Sequence, residues 1–416
     1  MRLRLGAAVL SCMAAGASSV AAQTFIPNVS GAAVRYLTAV LAHAPGQNDD
    51  AVDTLAAWTS REFDQAFADL RELVSTGDPD KPPAFLERFG EQPVSINMLL
   101  KRAAMLHSDI ARIRRQRNGG YALPPEAGLQ HHVAADGKVV DTVSGTFHWD
   151  AARRLMGIVR PAPGRDADVL LWYQATSALL QQWNDYYALQ PHLTSARALF
   201  PKDPVLLMYD GAVHEDYADP RVHNAFTKDE STPQRTLPCR TTLGCAPPLS
   251  AQFALRPPAQ EWHEAELALN FALEGDPNLA EARVRLGRVV GLQGRHGEAI
   301  EHLRKVLNQG ASVPPVLRYF AWLLVGRELQ TVGRGDEAAQ AYRQADALYP
   351  GSQEARLGLS QTAQSRGDRE SALNYLGGIR PYASSSGAGD PWWAYDRFHS
   401  PTAGEQWAAL AARLSR

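Results

Sequence analysis

The chain is 416 residues long and carries 42 Lys and Arg against 44 Asp and Glu, for a formal net charge of −2 at pH 7. That balance excludes a whole-chain basic field of the kind that attracts nucleic acid. Hydrophobic residues make up 45% and charged residues 21%, an ordinary globular composition, so the length predicts two or three domains or one extended array with additions.

Residues 1–22 have the pattern of a secretory leader: Arg2 and Arg4, an apolar run from Leu5 to about Ala15, then small residues ending Val20-Ala21-Ala22. Cleavage is expected after Ala22, with acylation at Cys12 as the alternative. The run is too short and too rich in Ala and Gly to span a bilayer, and no other long apolar segment follows. The expectation is an exported product, periplasmic or secreted, with no transmembrane segment. Cys239 and Cys245 remain after cleavage. A close pair in an exported chain predicts a disulfide, the alternative being two free thiols.

Residues 23–147 read as a helical region without a clear repeat. Val34 to Ala42 is apolar-rich. Asp53 to Val74 and Asn97 to Arg117 have amphipathic spacing. The cations Arg112, Arg114, Arg115 and Arg117 suit a helix C-terminus better than a nucleic-acid site. His107-x-Asp109 sits at i, i+2, where helical side chains diverge, and reads as structural. Residues 118–147 are irregular, with His131-His132, for which no partner ligand stands out, and a hairpin signal at Asp136-Gly137.

Residues 148–217 predict imperfect helix pairs, Val169–Trp183 with Leu189–Phe200 among them. Val205–Tyr217 reads as a first helix whose partner begins only at Glu261. Between them lies a Pro-rich segment, 218–260, that holds both cysteines and shows no periodicity. Segments of that length inside an array are commonly functional or disordered.

From 261 to 386 the chain repeats itself. Tyr319 to Ser352 gives Trp322-x2-Val325-Gly326-x2-Leu329, then Ala338-x3-Tyr342-x2-Ala345, then Pro350. Units at 280–313 and 353–386 keep the register through Gly287, Ala299 and Leu303, and through Leu359, Gly367 and Ala372. Large residues at i, i+3 and i+7 define one face, and small residues permit close helix approach. Gly333 and Gly335 are expected in the tight turn. This spacing resembles the tetratricopeptide repeat, a helix–turn–helix unit that is stable only as a stack. The resemblance implies an all-α solenoid. Residues 387–416, with Trp392-Trp393 and a final helix from Glu405 to Leu414, are expected to cap its end.

Chemistry is less legible. No HExxH helix, Gly-x-Ser-x-Gly elbow, phosphate loop or dinucleotide fingerprint occurs. His214, Glu215 and His223 are weak metal candidates, because their spacing puts them on no single helix face. No cofactor, metal or catalytic residue is expected. The resemblance implies a concave groove lined by the first helix of each unit. Carried over by register, Arg288, Leu292, Phe320, Arg327, Gln330, Gln361 and Gln364 face it. Arg suits carboxylate recognition, so the implied partner is an acidic protein or peptide. The expected function is a scaffold or adaptor. The alternative is an enzyme or carbohydrate-binding protein of the cell envelope, with its site formed by 118–147 and 218–260.

Overall fold

The computed structural model describes residues 33, 36, 37 and 40, then 60–76, 95–117, 130–133, 139–142, 145–182, 185–220, 223, 256–379, 391–392 and 403–414. The leader, both cysteines and most of 118–147 and 218–260 lie outside the described residues. Two compact units emerge, residues 1–162 with 408–416, and residues 163–407. The architecture is helical, with one two-stranded hairpin among the described residues.

The first unit contains α1 (Ser60–Thr76), α2 (Ile96–Arg117) and α3 (Gly145–Ile158). Strands β1 (Gln130–Val133) and β2 (Val139–Thr142) pair antiparallel, as the Asp136-Gly137 signal between them predicted, with His131 opposite Asp141. Phe63, Ala66, Leu70, Leu99, Leu100, Leu155 and Met156 form a core with Tyr36 and Leu37. Arg154 of α3 binds Asp64 at 2.6 Å and stacks 4.1 Å from the Phe67 ring centroid, tying α3 to α1. His107 and His148 are fully buried. His107 Nε2 lies 2.8 Å from the Tyr36 hydroxyl, and its Nδ1 lies 2.8 Å from His148 Nδ1. His107 is therefore structural, as its spacing from Asp109 suggested. Burial lowers its pKa to about 3.

The second unit begins with α4 (Ala167–Gln182), α5 (Tyr186–Leu199) and α6 (Pro204–Ala218). Local sequence sets their starts. The Asp185 and Asp203 side chains cap α5 and α6 by accepting from the Ala188 and Leu206 backbone N–H groups, and Pro204 supplies a preset φ at the first position. The array continues through α7 (Pro258–Gly275), α8 (Ala280–Leu292), α9 (His296–Asn308), α10 (Pro315–Thr331), α11 (Gly335–Leu348), α12 (Gln353–Ser365) and α13 (Arg369–Gly377). Helix α14 (Ala403–Leu414) follows, and its residues up to Trp407 belong to this unit.

The stacking depends on size complementarity. A Cβ on Gly326 of α10 would stand 2.7 Å from the Tyr342 ring of α11. Gly211 of α6 meets Leu269 of α7 in the same way, also at 2.7 Å. Helices α6 and α7 thus pair as α10 and α11 do, although residues 219–257 separate them in sequence. The turns at Gly294, Gly333 and Gly367 share φ values of 77° to 82°, which only glycine adopts without strain. Gly335, by contrast, is the first residue of α11 and helical. Val325, Leu329, Ala338, Tyr342 and Ala345 are buried, while Trp322 is only partly buried against the same cluster. Trp322 therefore stands at the margin of the core that its spacing had placed it within.

Candidate functional site

Counting from the glycine of close approach aligns the first helices. Arg288 follows Gly287 in α8 as Arg327 follows Gly326 in α10. By register the two arginines share one role, and the structure separates them into two. Arg288 is 7% exposed, and its Nη1 donates to Glu215 Oε1 at 2.5 Å. Arg285 donates to the other oxygen, Glu215 Oε2, at 2.7 Å, and to Glu281 at 3.1 Å. Burial alone would push the Glu215 carboxyl up, and the two guanidinium groups overcome it and hold the pKa below the ordinary value. Arg288 is thus a buried structural cation joining α8 to α6, which corrects its assignment to the ligand-facing set. The cause is local: the preceding helix places Glu215 four residues after Gly211. Four residues after Gly287, where α10 would look for the same partner, stands Gly291.

Arg327 is half-buried, and among the described residues its guanidinium makes no hydrogen bond or ion pair. It lines a pocket of about 430 Å³ together with Gln330, Tyr342, Glu354, Leu357, Gln361 and Trp392. The Tyr342 hydroxyl donates to Gln330 Oε1 at 2.9 Å, and Gln330 Nε2 reaches Gln361 Oε1 at 3.5 Å. These bonds occupy the amide oxygens on the pocket wall and leave the Gln361 amide N–H groups as donors. Burial raises the Tyr342 pKa, so its phenol stays neutral. Glu354 also lines the pocket and has an interaction of its own.

Of the residues predicted to face a ligand, Arg327, Gln330 and Gln361 share this pocket. Phe320 is fully buried beneath Trp392, with ring centroids 6.1 Å apart and planes at 62°. It is therefore part of the repeat core and not an open contact, which corrects its assignment to the ligand-facing set. Leu292 is 43% exposed at the end of α8, and Gln364 is exposed near the end of α12; neither lines the pocket. Trp392 of the C-terminal segment packs on Phe320 of α10 and lines the pocket together with Glu354, Leu357 and Gln361 of α12, the first helix of the last repeat. Its role in the pocket was missed because nothing local in the sequence links it to Phe320.

The weak metal set separates. His214 Nδ1 lies 2.6 Å from Glu261 of α7, whereas Glu215 turns to Arg285 and Arg288. His223 is helical and has its backbone N–H on the Asp219 carbonyl. Among the described residues, no group of three or more His, Cys, Asp or Glu is placed to hold a metal ion. Likewise, no described helix is long and apolar enough to cross a membrane.

Fold and pocket together define a helical-repeat solenoid with a partly polar recess on its first-helix face. A sequence model of the tetratricopeptide repeat matches residues 331–386. Comparison with curated proteins finds no match. Solved structures similar to the chain include YrrB, described as a TPR protein with an unusual peptide-binding site. It is 15% identical, with a TM-score of 0.34, covering 53% of this chain and 90% of its own. MamA from Desulfovibrio magneticus RS-1, residue 41 to the end, is 14% identical with a TM-score of 0.35, covering 51% and 94%. A further MamA crystal structure is 15% identical with a TM-score of 0.35, covering 51% and 91%.

Proposed function

We propose that the chain is a non-enzymatic scaffold that binds a peptide segment of a partner protein on the first-helix face of its repeats, with an acidic group of that peptide at Arg327. The observation that carries this reading is a guanidinium without a bonding partner among the described residues, in a pocket that also offers amide donors and apolar walls. A carboxylate satisfies such a group with two parallel hydrogen bonds. The tetratricopeptide-repeat match supports the reading, because solenoids of stacked hairpins present extended binding surfaces. The leader-like residues 1–22 support export to the periplasm or beyond, which belongs to the same proposal.

The test uses a photoreactive residue in place of Gln361. In the native envelope fraction it is expected to cross-link one or a few proteins, and Arg327→Glu is expected to abolish those adducts. Arg327 contributes no ion pair to the described fold, so its variant should melt within about 2 °C of the unaltered chain. Adducts that survive Arg327→Glu would remove the pocket from the account.

A further inference from the structure

The last hairpin of the array breaks a rule that the earlier ones keep. Ala299, Ala338 and Ala372 share one position in α9, α11 and α13. The residue after each is Ile300, Ala339 or Leu373, and the fourth after each is Leu303, Tyr342 or Leu376. In α9 and α11 all of these side chains are buried. The first helix of the following repeat helps to cover them. Helix α10 packs on α9, and α12 packs on α11 so closely that a Cβ on Gly358 would stand 2.5 Å from the Tyr342 ring. In α13 the same two positions, Leu373 and Leu376, are 59% and 41% exposed. Among the described residues α12 is the one helix extensively packed on α13. Helix α14, which follows in sequence, engages α6, where Gln406 accepts a hydrogen bond from the Tyr209 hydroxyl. Two exposed leucines one turn apart, at positions built for stacking, mark an interaction surface.

We infer that this face is a self-association surface, on which α13 pairs with α13 of a second copy, antiparallel about a two-fold axis. The face continues the stacking interface of the array by the same residue positions, so what seats on it is a helix. The charge pattern selects a second copy. Arg369, Leu373 and Leu376 fall at i, i+4 and i+7 and form one stripe of α13. A two-fold axis between the leucines sets this stripe against itself, as an isologous contact requires. Leu373 of one copy then meets Leu376 of the other. Arg369 reaches the C-terminal turn of the facing helix, whose carbonyls carry partial negative charge. Arg369 is exposed and makes no ion pair among the described residues, so its approach breaks none. Glu370 lies one residue further round the helix, off the stripe. The start of α13 is already fixed, because Asp368 accepts from the Ser371 backbone N–H and Arg366 binds Asp336 at 2.6 Å. A contact one short helix wide belongs at the small end of specific interfaces, so the expected dimer Kd is on the order of 10 μM.

The experiment is sedimentation velocity of the full chain from about 1 μM to about 200 μM, where a monomer–dimer equilibrium is expected. Leu373→Asp together with Leu376→Asp is expected to raise the dimer Kd on the order of a hundredfold, with circular dichroism unchanged because both side chains are exposed in the single copy. A parent chain that stays monomeric throughout overturns the inference, as does a dimer whose Kd the double change leaves within about twofold. Arg369→Glu should weaken the dimer several-fold by setting a carboxylate against the facing helix C-terminus, and no weakening there overturns the antiparallel pairing. Should the double variant lose helicity, a photoreactive residue in place of Asn374, beside the stripe, leaves both leucines intact. It is expected to give a covalent dimer in which α13 is joined to α13. Adducts to residues 380–402 of the same chain, or only to a foreign protein in the native fraction, overturn the inference by naming a different occupant. Arg369, Leu373 and Leu376 do not line the pocket beside Arg327, so this result and the cross-linking at Gln361 stand or fall separately.

Discussion

Replacing Glu215 with Gln tests the buried charge cluster that joins α6 to α8. The carboxylate is fully buried and bonded to Arg285 at 2.7 Å and to Arg288 at 2.5 Å. With an amide there, Glu281 is left against two cations, one of them without a carboxylate. Removing one member of a buried ion pair costs about 3–5 kcal/mol, because the partner's desolvation is no longer offset. For a unit of this size each kcal/mol lowers the melting temperature by about 2–4 °C, so the expected fall is about 6–20 °C. Circular dichroism at 222 nm during a thermal ramp measures it, and hydrogen exchange of α8 shows whether the loss is local. Arrays need not unfold in one step, which makes the second readout necessary. The pH dependence has a definite sign. The folded pKa of Glu215 lies below its unfolded value, so the stabilisation is complete above the unfolded value of about 4.3 and disappears as acid titrates the folded carboxylate. Changing the whole cluster, Glu215, Glu281, Arg285 and Arg288, to Met should recover most of the loss, since apolar replacements of complete buried ion-pair networks are often neutral, whereas leaving Glu281 behind would strand a buried carboxylate. A Gln variant that melts within about 2 °C of the parent would refute the claim that this cluster holds the two repeats together.

Two further outcomes follow from the packing and the buried histidines. Gly326→Ala should cost about 1–3 kcal/mol, because its Cβ would sit 2.7 Å from the Tyr342 ring, whereas Gly297→Ala, with nothing within 4 Å, should gain about 0.4–1 kcal/mol. Urea denaturation of both variants checks this, and effects of one sign would refute the close-approach argument. His107 has a folded pKa of about 3 against an ordinary value of 6.5. The unfolded chain therefore binds the extra proton first, and stability should fall by about 1.4 kcal/mol per unit as pH drops below about 6.5 towards 3. The interval from about pH 6.5 to 5 isolates the histidine from most carboxylates, and a flat stability profile there would show that His107 accepts a proton while folded.

The repeats are legible because a helical hairpin must place large and small residues at fixed intervals, and Gly326, Ala338, Tyr342 and Ala345 do so. The turn glycines at 294, 333 and 367 are legible for the same reason. Arg288 and Arg327 show where register stops being informative. They share a position, but the neighbouring repeat decides whether a carboxylate is waiting. Aligning α6 on Gly211 would have put Glu215 in reach of Arg288, and that signal lay unused because residues 219–257 interrupt the pair. The contact of Trp392 with Phe320 joins residues far apart in sequence, with no local pattern to announce it. The pairing of His107 with Tyr36 and His148 is hidden likewise, since a histidine on an apolar helix face does not name its partner.

Helices α6 and α7 find each other although their connection runs through residues 219–257, and their fit at Gly211 and Leu269 resembles that of repeats joined by short turns. Closing a longer connection costs little, about 0.6 kcal/mol for each doubling of its length. That corner of the solenoid is thus an address where chain can be added, exchanged or cut at small thermodynamic penalty. New chemistry can be installed there while the pitch of the surrounding coil stays as it is.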